Sequence, residues 1–393
     1  MEKTLLKALH GLKEMSEQME QKQQLKFWSD ISVPLSLNDA LSRLSKDELS
    51  EIRKCLDIKS ASHLKKGELA ELLSTTIPNS LQKICLTMDQ ERFSFVMEII
   101  RNGGSIAAPK LTEQQVAYFR SSGIIFTGTY KGRKILAMPE EIVRNAFFQV
   151  NDKDLSSICK RNTDWIKLTQ GLLYFYGTLS IGELIDFLNK YTDELISVYD
   201  YLQVMDHAKT YYEQFRFDSI GVSYRRVFDP ENIKREHQMR KGVEFFPFSR
   251  EQLLRAGENG FVDRNDSYLQ FVQFLTNHYK ISRKEADGIV EECVYATNNG
   301  EGPNQILQFL QSRFEFDTLD ALRACMDQVV KLMNNTRQWF LKGFMPSEHF
   351  TIEKKLVRPL PSHKSKTIKK IGRNDQCHCG SNKKYKLCCG RSE

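Results

Sequence analysis

Four cysteines stand near the carboxyl end as two close pairs, Cys377 with Cys379 and Cys388 with Cys389, separated by eight residues. Thiolates at that spacing suit a tetrahedral zinc ion with Zn–S distances near ~2.3 Å, and so short and polar a segment has no apolar core to fold around otherwise. Metal binding would then be its folding energy, on the order of 10–16 kcal/mol in small zinc peptides. Gly380, Ser381 and Asn382 can turn the chain after the first pair, and Lys383 to Leu387 can begin a short helix carrying the second. Two disulfides are the competing use of four thiols. Against them, the other five cysteines (Cys55, Cys85, Cys159, Cys293, Cys325) are scattered through apolar helical stretches, nine is an odd count, and Met1 to Gln23 lacks the apolar core of a secretory signal. No stretch approaches the roughly 18 apolar residues of a membrane span. These features lead us to expect a reducing, cytoplasmic setting and one structural Zn²⁺.

The run Gly372-Arg373-Asn374-Asp375, followed by Cys377, Cys379-Gly380-Ser381, Lys383-Lys384-Tyr385-Lys386 and Cys388-Cys389-Gly390, resembles the SEC-C motif at the carboxyl end of the SecA translocase. That resemblance covers about the last 20 residues. It implies one zinc held by Cys377, Cys379, Cys388 and Cys389. It also implies a docking element, which in that family serves the export chaperone SecB and, in related proteins, ribosomes and acidic lipid. Gln376 and His378 stand where proline is usual, and Cys389 where the translocase often has histidine. His378 offers a substitute ligand, although its place between two ligating cysteines points it away from the metal.

Charge gives the tail a second property. From Glu353 to Glu393, twelve Lys and Arg face three acidic residues, so the segment carries +9 against +7 for the whole chain and leaves −2 upstream. A zinc tetrathiolate contributes about −2, which leaves the loaded tail near about +7. Such a field concentrates the phosphates of DNA, RNA or acidic lipid, and its grip weakens steeply with salt. Arg373, Lys383, Lys384 and Lys386 are the docking candidates; a merely solubilising tail is the plain alternative. Lys354 to Lys370, with Pro359, Pro361 and alternating lysines, reads as a linker.

Upstream, apolar residues recur mainly at helical spacing. The pattern predicts a mainly α, multidomain α+β protein: an N-terminal helix (1–34), a helix-loop-helix (35–79), two winged-helix-like units (80–150 and 151–248), a helical domain (249–350), a basic linker (351–370) and the zinc knuckle (371–393). In the helix-loop-helix, Ser45 and Glu48 form a capping box, Leu49, Ile52, Leu56 and Ile58 make one apolar face, and Leu64 to Leu73 is a second amphipathic helix. This pattern resembles the SAP and Rho amino-terminal modules, which implies Lys59, Lys65 and Lys66 as phosphate contacts. The next unit offers a helix from Gln90 to Asn102 stopped at Gly103-Gly104, a Thr112-capped helix, and a hairpin turned at Lys131-Gly132. On a winged-helix plan, Lys131, Arg133 and Lys134 form a basic wing. Packing is the competing use, since the helix in the recognition position carries only Arg120 as a cation and exposes Gln114 and Gln115.

The same order recurs with helices over Asp164–Gly177, Ser180–Tyr191 and Asp193–His207, then strand-like stretches over Tyr212–Phe217 and Ser219–Phe228. Arg225, Arg226, Lys234, Arg235, Arg240 and Lys241 follow, interleaved with Asp229, Glu231 and Glu236. They form either a nucleic-acid face or a local ion-pair network. At least four core-facing helices come next, among whose apolar residues are Leu269, Phe271, Ile289, Leu310, Leu319 and Leu332, broken by a loop from Asn298 to Pro303. The stretch from Asn334 to Glu348 is similar to a segment of bacterial proteins bearing SEC-C tails. It either presents a recognition patch or caps a helix and seats Trp339.

No Walker loop, dinucleotide fingerprint, nucleophile elbow or His-Glu-x-x-His is present, so an enzyme is not expected. The sequence favours a non-enzymatic zinc-binding adaptor whose knuckle docks to a ribosome, chaperone or nucleic acid. A DNA-binding regulator is the alternative. A hydrolase with a site assembled from distant residues, such as His207, His237 and Asp229, is the second alternative.

Overall fold

A computed structural model describes residues 21–150, 152–192, 194–348 and 379–389, with positions 15, 18, 19, 374 and 376. It divides into two compact units, Met1–His349 and Phe350–Glu393. The described residues are mainly helical, as expected.

After a helical stretch at 21–27, the larger unit runs through α1 (Leu37–Ser42), α2 (Lys46–Cys55), α3 (Lys66–Thr76), α4 (Leu81–Leu86), α5 (Gln90–Arg101), β1 (Ser105–Ala107), α6 (Glu113–Ser121), β2 (Phe126–Tyr130), β3 (Arg133–Ala137), α7 (Glu140–Val143) and α8 (Phe147–Val150). The capping boxes at Ser45/Glu48 and Thr112/Gln115 both form. Lys131 and Gly132 take φ of +49° and +77°, the pair of left-handed residues that matches a two-residue turn to the twist of its strands. The three-residue β1 was not foreseen, being too short to show alternation; it pairs with β3, giving the order β1-β3-β2. On the other edge, Ile31 donates to the Thr129 carbonyl at 3.0 Å and Thr129 donates back to Ser29 at 3.1 Å.

Next comes α9 (Asp152–Tyr176), longer than the helix expected from Asp164. Exposed Asp154 and Lys160 break its apolar period in sequence. Its first half puts Leu155 and Cys159 into the core formed with α1 to α8, and its second half, from Trp165, enters another core. That second core is completed by β4 (Thr178–Leu179), α10 (Ile181–Thr192), α11 (Val198–Tyr212), β5 (Phe215–Phe217), β6 (Val222–Tyr224), α12 (Pro230–Met239) and α13 (Arg250–Ala256), with strand order β4-β6-β5. The helix expected from Asp193, a position outside the described residues, starts at Val198, where the Ser197 hydroxyl accepts from the Asp200 amide. It continues to Tyr212, which shortens the expected strands. The cause is visible: the Tyr211 hydroxyl donates to Glu91 at 2.8 Å and that of Tyr212 to Asp89 at 2.7 Å, so both rings stay on the helix. Asp89 also faces the fully buried Arg92, whose Nη1 donates to the Tyr118 hydroxyl at 3.0 Å. A buried cation with a paired carboxylate on one helix and tyrosines from two others locks α5, α6 and α11 together.

A third core contains α14 (Asp266–His278), α15 (Arg283–Asn298), α16 (Pro303–Gln311) and α17 (Leu319–Asn334). Leu269 and Leu319, expected inside, are 40% and 72% exposed. Leu319 is the first residue after the Thr318 N-cap, a turn short of the buried face. Trp339 is fully buried, donating Nε1 to the Tyr174 carbonyl at 2.8 Å, while its own carbonyl meets His237 Nε2 at 2.8 Å. Of the two uses weighed for this segment, it is the aromatic plug.

Among the described glycines, the tightest approach is a reciprocal one between α9 and the end of α13. A Cβ on Gly171 would lie 2.1 Å from the Leu253 carbonyl oxygen, and one on Gly257 would lie 2.0 Å from that of Lys167. Backbone cannot yield as a side-chain tip can, so a methyl at either position forces the helices apart. Gly171→Ala is expected to lower unfolding stability by about 3 kcal/mol, read as a shifted urea midpoint at unchanged slope. Gly288→Ala, exposed inside α15 with open space around it, should instead raise the midpoint slightly, by about 0.5–1 kcal/mol of helix propensity.

Acid should unfold this protein through two histidines. Burial, followed by the field of Arg92, lowers His207 from 6.5 to about 4. Burial also lowers His237 to about 4, against the bond to the Trp339 carbonyl. Between those values the unfolded chain takes up protons that the folded one excludes, so stability is fully present above about pH 6.5 and falls as pH drops toward about 4. Burial raises Glu48, but the Ser45 amide and the Arg120 guanidinium outweigh it and hold the carboxyl at about 2. Its contribution is therefore lost at lower pH still. Urea midpoints measured across this range should decline with that profile, and His207→Gln should flatten the upper part of the decline.

Candidate metal centre

In the smaller unit, Gln376 and Lys384 form an antiparallel bridge. Gly380 and Asn382, at φ of +79° and +54°, supply the reversal between them. A 3-10 turn at Tyr385–Leu387, closed by Leu387 N donating to the Lys384 carbonyl at 2.8 Å, then delivers Cys388 and Cys389. This is the short helix expected before the second pair, in 3-10 form. The Sγ atoms of Cys379, Cys388 and Cys389 all lie within 4.8 Å of one another. Cys379 and Cys388 are 3.3 Å apart at sulfur, Cys388 and Cys389 4.0 Å. A tetrahedron with ~2.3 Å metal–sulfur bonds has edges of about 3.8 Å, so the trio fits three corners. The Ser381 hydroxyl is 3.1 Å from the Cys388 sulfur, where it can donate to a thiolate. Such a centre would fix the fold of this segment; with a fourth thiolate it would be closed, leaving no open position for a reacting water.

The fourth expected ligand, Cys377, the competing His378 and the docking candidate Arg373 lie outside the described residues. Lys383, Lys384 and Lys386 are exposed around the cysteine trio. In the larger unit, Cys85, Cys159, Cys293 and Cys325 are buried free thiols and Cys55 is half-buried. Burial pushes Cys55 up to about 11 and Cys159 up to about 12, which keeps them protonated and inert.

The other basic candidates are spread over the surface of the larger unit. Lys131, Arg133 and Lys134 are exposed at the β2–β3 turn, with Lys131 Nζ 5.1 Å from the Tyr130 ring and Lys134 Nζ 4.7 Å from the Trp28 ring. Lys65 is the N-cap of α3, and Lys66 donates to the Ser42 carbonyl at 2.9 Å. Arg120, by contrast, is only 7% exposed: it donates to Glu48 at 2.7 Å and to Thr127 at 3.1 Å. The later basic cluster is partly neutralised: Lys234 pairs with Glu183, Arg240 with Glu236, and Arg226 with Glu292 at 3.1 Å. His207 packs edge-on against Tyr118 while His237 lies under Trp339, so those two do not converge. Sequence reasoning missed the Asp89–Arg92–Tyr118 network, which no local motif announces.

A mainly helical chain with a cysteine-rich basic tail defines the class, and the tail matches the family model described as SEC-C motif over residues 373–391. A UPF0225 protein of Vibrio vulnificus is 30% identical over 150 residues, covering 36% of this chain and 82% of the relative. One from Vibrio parahaemolyticus is 33% identical with the same coverage. The chain belongs to the UPF0225 family. The protein translocase subunit SecA of Sulfurimonas denitrificans is 79% identical over 24 residues, 6% of this chain and 3% of that one, so the likeness is to the motif alone. No solved structure matches. The SEC-C match lends nothing to the SAP-like pattern around Lys65 and Lys66. Among the described residues, no helix is long and apolar enough to cross a membrane.

Replacing Cys388 and Cys389 together by serine should reduce bound metal from about one equivalent to none, read by native mass spectrometry of the purified protein. The larger unit should keep its far-ultraviolet circular dichroism.

Proposed function

We propose that this protein is a cytoplasmic, non-enzymatic adaptor in which a Zn²⁺-folded knuckle, ligated by Cys377, Cys379, Cys388 and Cys389, docks the chain to a phosphate-rich partner such as a ribosome. The observation that carries the reading is the exposure of Lys383, Lys384 and Lys386 around the cysteine trio. A metal-fixed turn holds those cations in one geometry, which a solubilising tail does not need. Export chaperones, acidic lipid and other nucleic acids are the competing partners for the same face. In this reading the chain is organised along the boundaries laid out from sequence, with a recognition body from 35 to 350 and a basic linker from 351 to 370.

A DNA-binding regulator built on the winged-helix-like unit of residues 80–150 draws support from Lys131, Arg133 and Lys134, exposed at its hairpin turn. It requires α6 to enter a groove. Yet α6 is flanked on both sides: Arg120 pairs with Glu48 of α2, and Tyr118 packs on His207 and Tyr211 of α11. A helix with both flanks covered offers Gln114 and little else, so the adaptor is the better account.

Deleting residues 354–393 should abolish co-sedimentation with ribosomes while the remaining chain stays folded. In the intact protein, co-sedimentation should fall by about 10³-fold or more in affinity between 50 and 200 mM salt if six or more phosphates are contacted. Association that survives the deletion would refute the reading.

A further inference from the structure

We propose that the cleft between α2, α6 and α11 binds an uncharged purine nucleoside. The cleft holds about 470 Å³, within the roughly 300–1,000 Å³ of small-molecule pockets. Tyr199, Gln203 and His207 all line it, and residues four apart on a helix share a face. One side of α11 thus presents an aromatic ring, an amide and an imidazole to the cleft in a row.

Some lining groups already serve the fold: the Tyr118 hydroxyl accepts from Arg92 at 3.0 Å, and the Ser121 hydroxyl donates to the Tyr118 carbonyl at 2.9 Å. Gln203 and His207 do not. Among the described residues, neither ring nitrogen of His207 nor the amide of Gln203 has a hydrogen-bond partner, and neither group is sealed from solvent as His237 Nδ1 is. Burial, then the field of Arg92, lowers His207 to about 4, so near neutral pH its ring is uncharged and offers one donor and one acceptor. The amide of Gln203 offers both kinds as well. Four residues along a helix rise about 6 Å. A bicyclic base, with hydrogen-bonding atoms on two edges, spans that gap, whereas a single-ring pyrimidine falls short. The Tyr199 ring, one turn nearer the start of α11, is 70% exposed, and a base can stack on it.

Charge selects the rest of the ligand. The lining holds Lys54, Lys83 and Lys209 against Glu51, Asp57 and Asp206. Lys54 pairs with Glu51 at 2.7 Å and Lys209 with Asp206 at 2.5 Å, each within its own helix. Arg92, whose field reaches the imidazole, is itself paired with Asp89 at 3.3 Å. No excess charge remains to draw in a phosphate, while exposed carboxylates beside a stacked base suit the hydroxyls of a ribose.

The test uses the full-length protein with isotope-labelled histidine rings and follows His207 by NMR, its signal being the one missing from His207→Gln. Adenosine or inosine, added to about 5 mM, should shift that signal saturably, at the weak end of small-ligand affinity. Uridine should bind at least about fivefold more weakly, and AMP no more tightly than adenosine. Tyr199→Ala and Gln203→Ala, which alter side chains open to solvent and leave the core untouched, should each weaken adenosine by at least about fivefold. No shift with either purine nucleoside, uridine as tight as adenosine, AMP tighter than adenosine, or unchanged affinity in either variant would each overturn the proposal. Because the zinc tail takes no part, failure here leaves the adaptor reading standing.

Discussion

The larger unit depends on how closely two helices can pass. Gly171 on α9 and Gly257 at the end of α13 face each other's backbones at distances that admit no side chain. The crossing lets Trp165, Leu168, Leu172 and Leu253 share one core, and it brings the end of α9 to the segment that holds Trp339. Gly177, at φ +76°, ends α9 beneath that indole, where a Cβ would lie 2.7 Å from the ring. Because α9 also reaches back through Asn162 to the Leu86 and Met88 carbonyls, at 2.8 Å each, one helix carries the constraint from the first core to the second. The two cores are therefore coupled by a rigid rod, and the buried Arg92 cluster fixes the angle at which α11 returns across it.

Much of the local structure was legible in the sequence, and the reason is the kind of signal involved. Capping boxes at Ser45 and Thr112, the Gly103-Gly104 stop and the Lys131-Gly132 turn are each settled within a few residues, by hydrogen bonds a chain makes with its near neighbours. The cysteine pairs are similar: their spacing brings three sulfurs together with little help from elsewhere. What escaped was decided at long range. The early start of α9 rests on burial of Leu155 and Cys159 against helices far off in sequence, and the late end of α11 rests on tyrosines reaching Asp89 and Glu91. Arg120 looked like a surface cation because nothing near it in sequence reveals that Glu48 waits across the core.

That last displacement bears on function more than its size suggests. A single arginine on a helix in the recognition position invites a nucleic-acid reading, and the same arginine turned inward removes it. Once Glu48 and Thr127 hold the guanidinium, α6 becomes a packing element between α2 and α11. Cations still facing solvent in this part of the chain include those of the β2–β3 turn and the start of α3, with Lys46, Lys59, Arg101 and Lys110. Contacts of this type to phosphates give affinity without sequence readout.

Charge is accordingly distributed by role. The body, near −2 overall, uses several of its basic residues in pairs, as Lys234 with Glu183, Arg240 with Glu236 and Arg264 with Asp287 at 2.6 Å. The tail holds +9 with few acids to pair them. Unpaired cations on a flexible strand would bind phosphates diffusely. The proposed tetrathiolate centre would change that, because it would remove about two charges from the total while holding the remaining lysines at set positions. The loss in field would be compensated by order, since less conformational entropy would remain to be surrendered when a partner binds. On the proposed reading, a metal at this place would be a device for geometry, turning a basic tail into a surface.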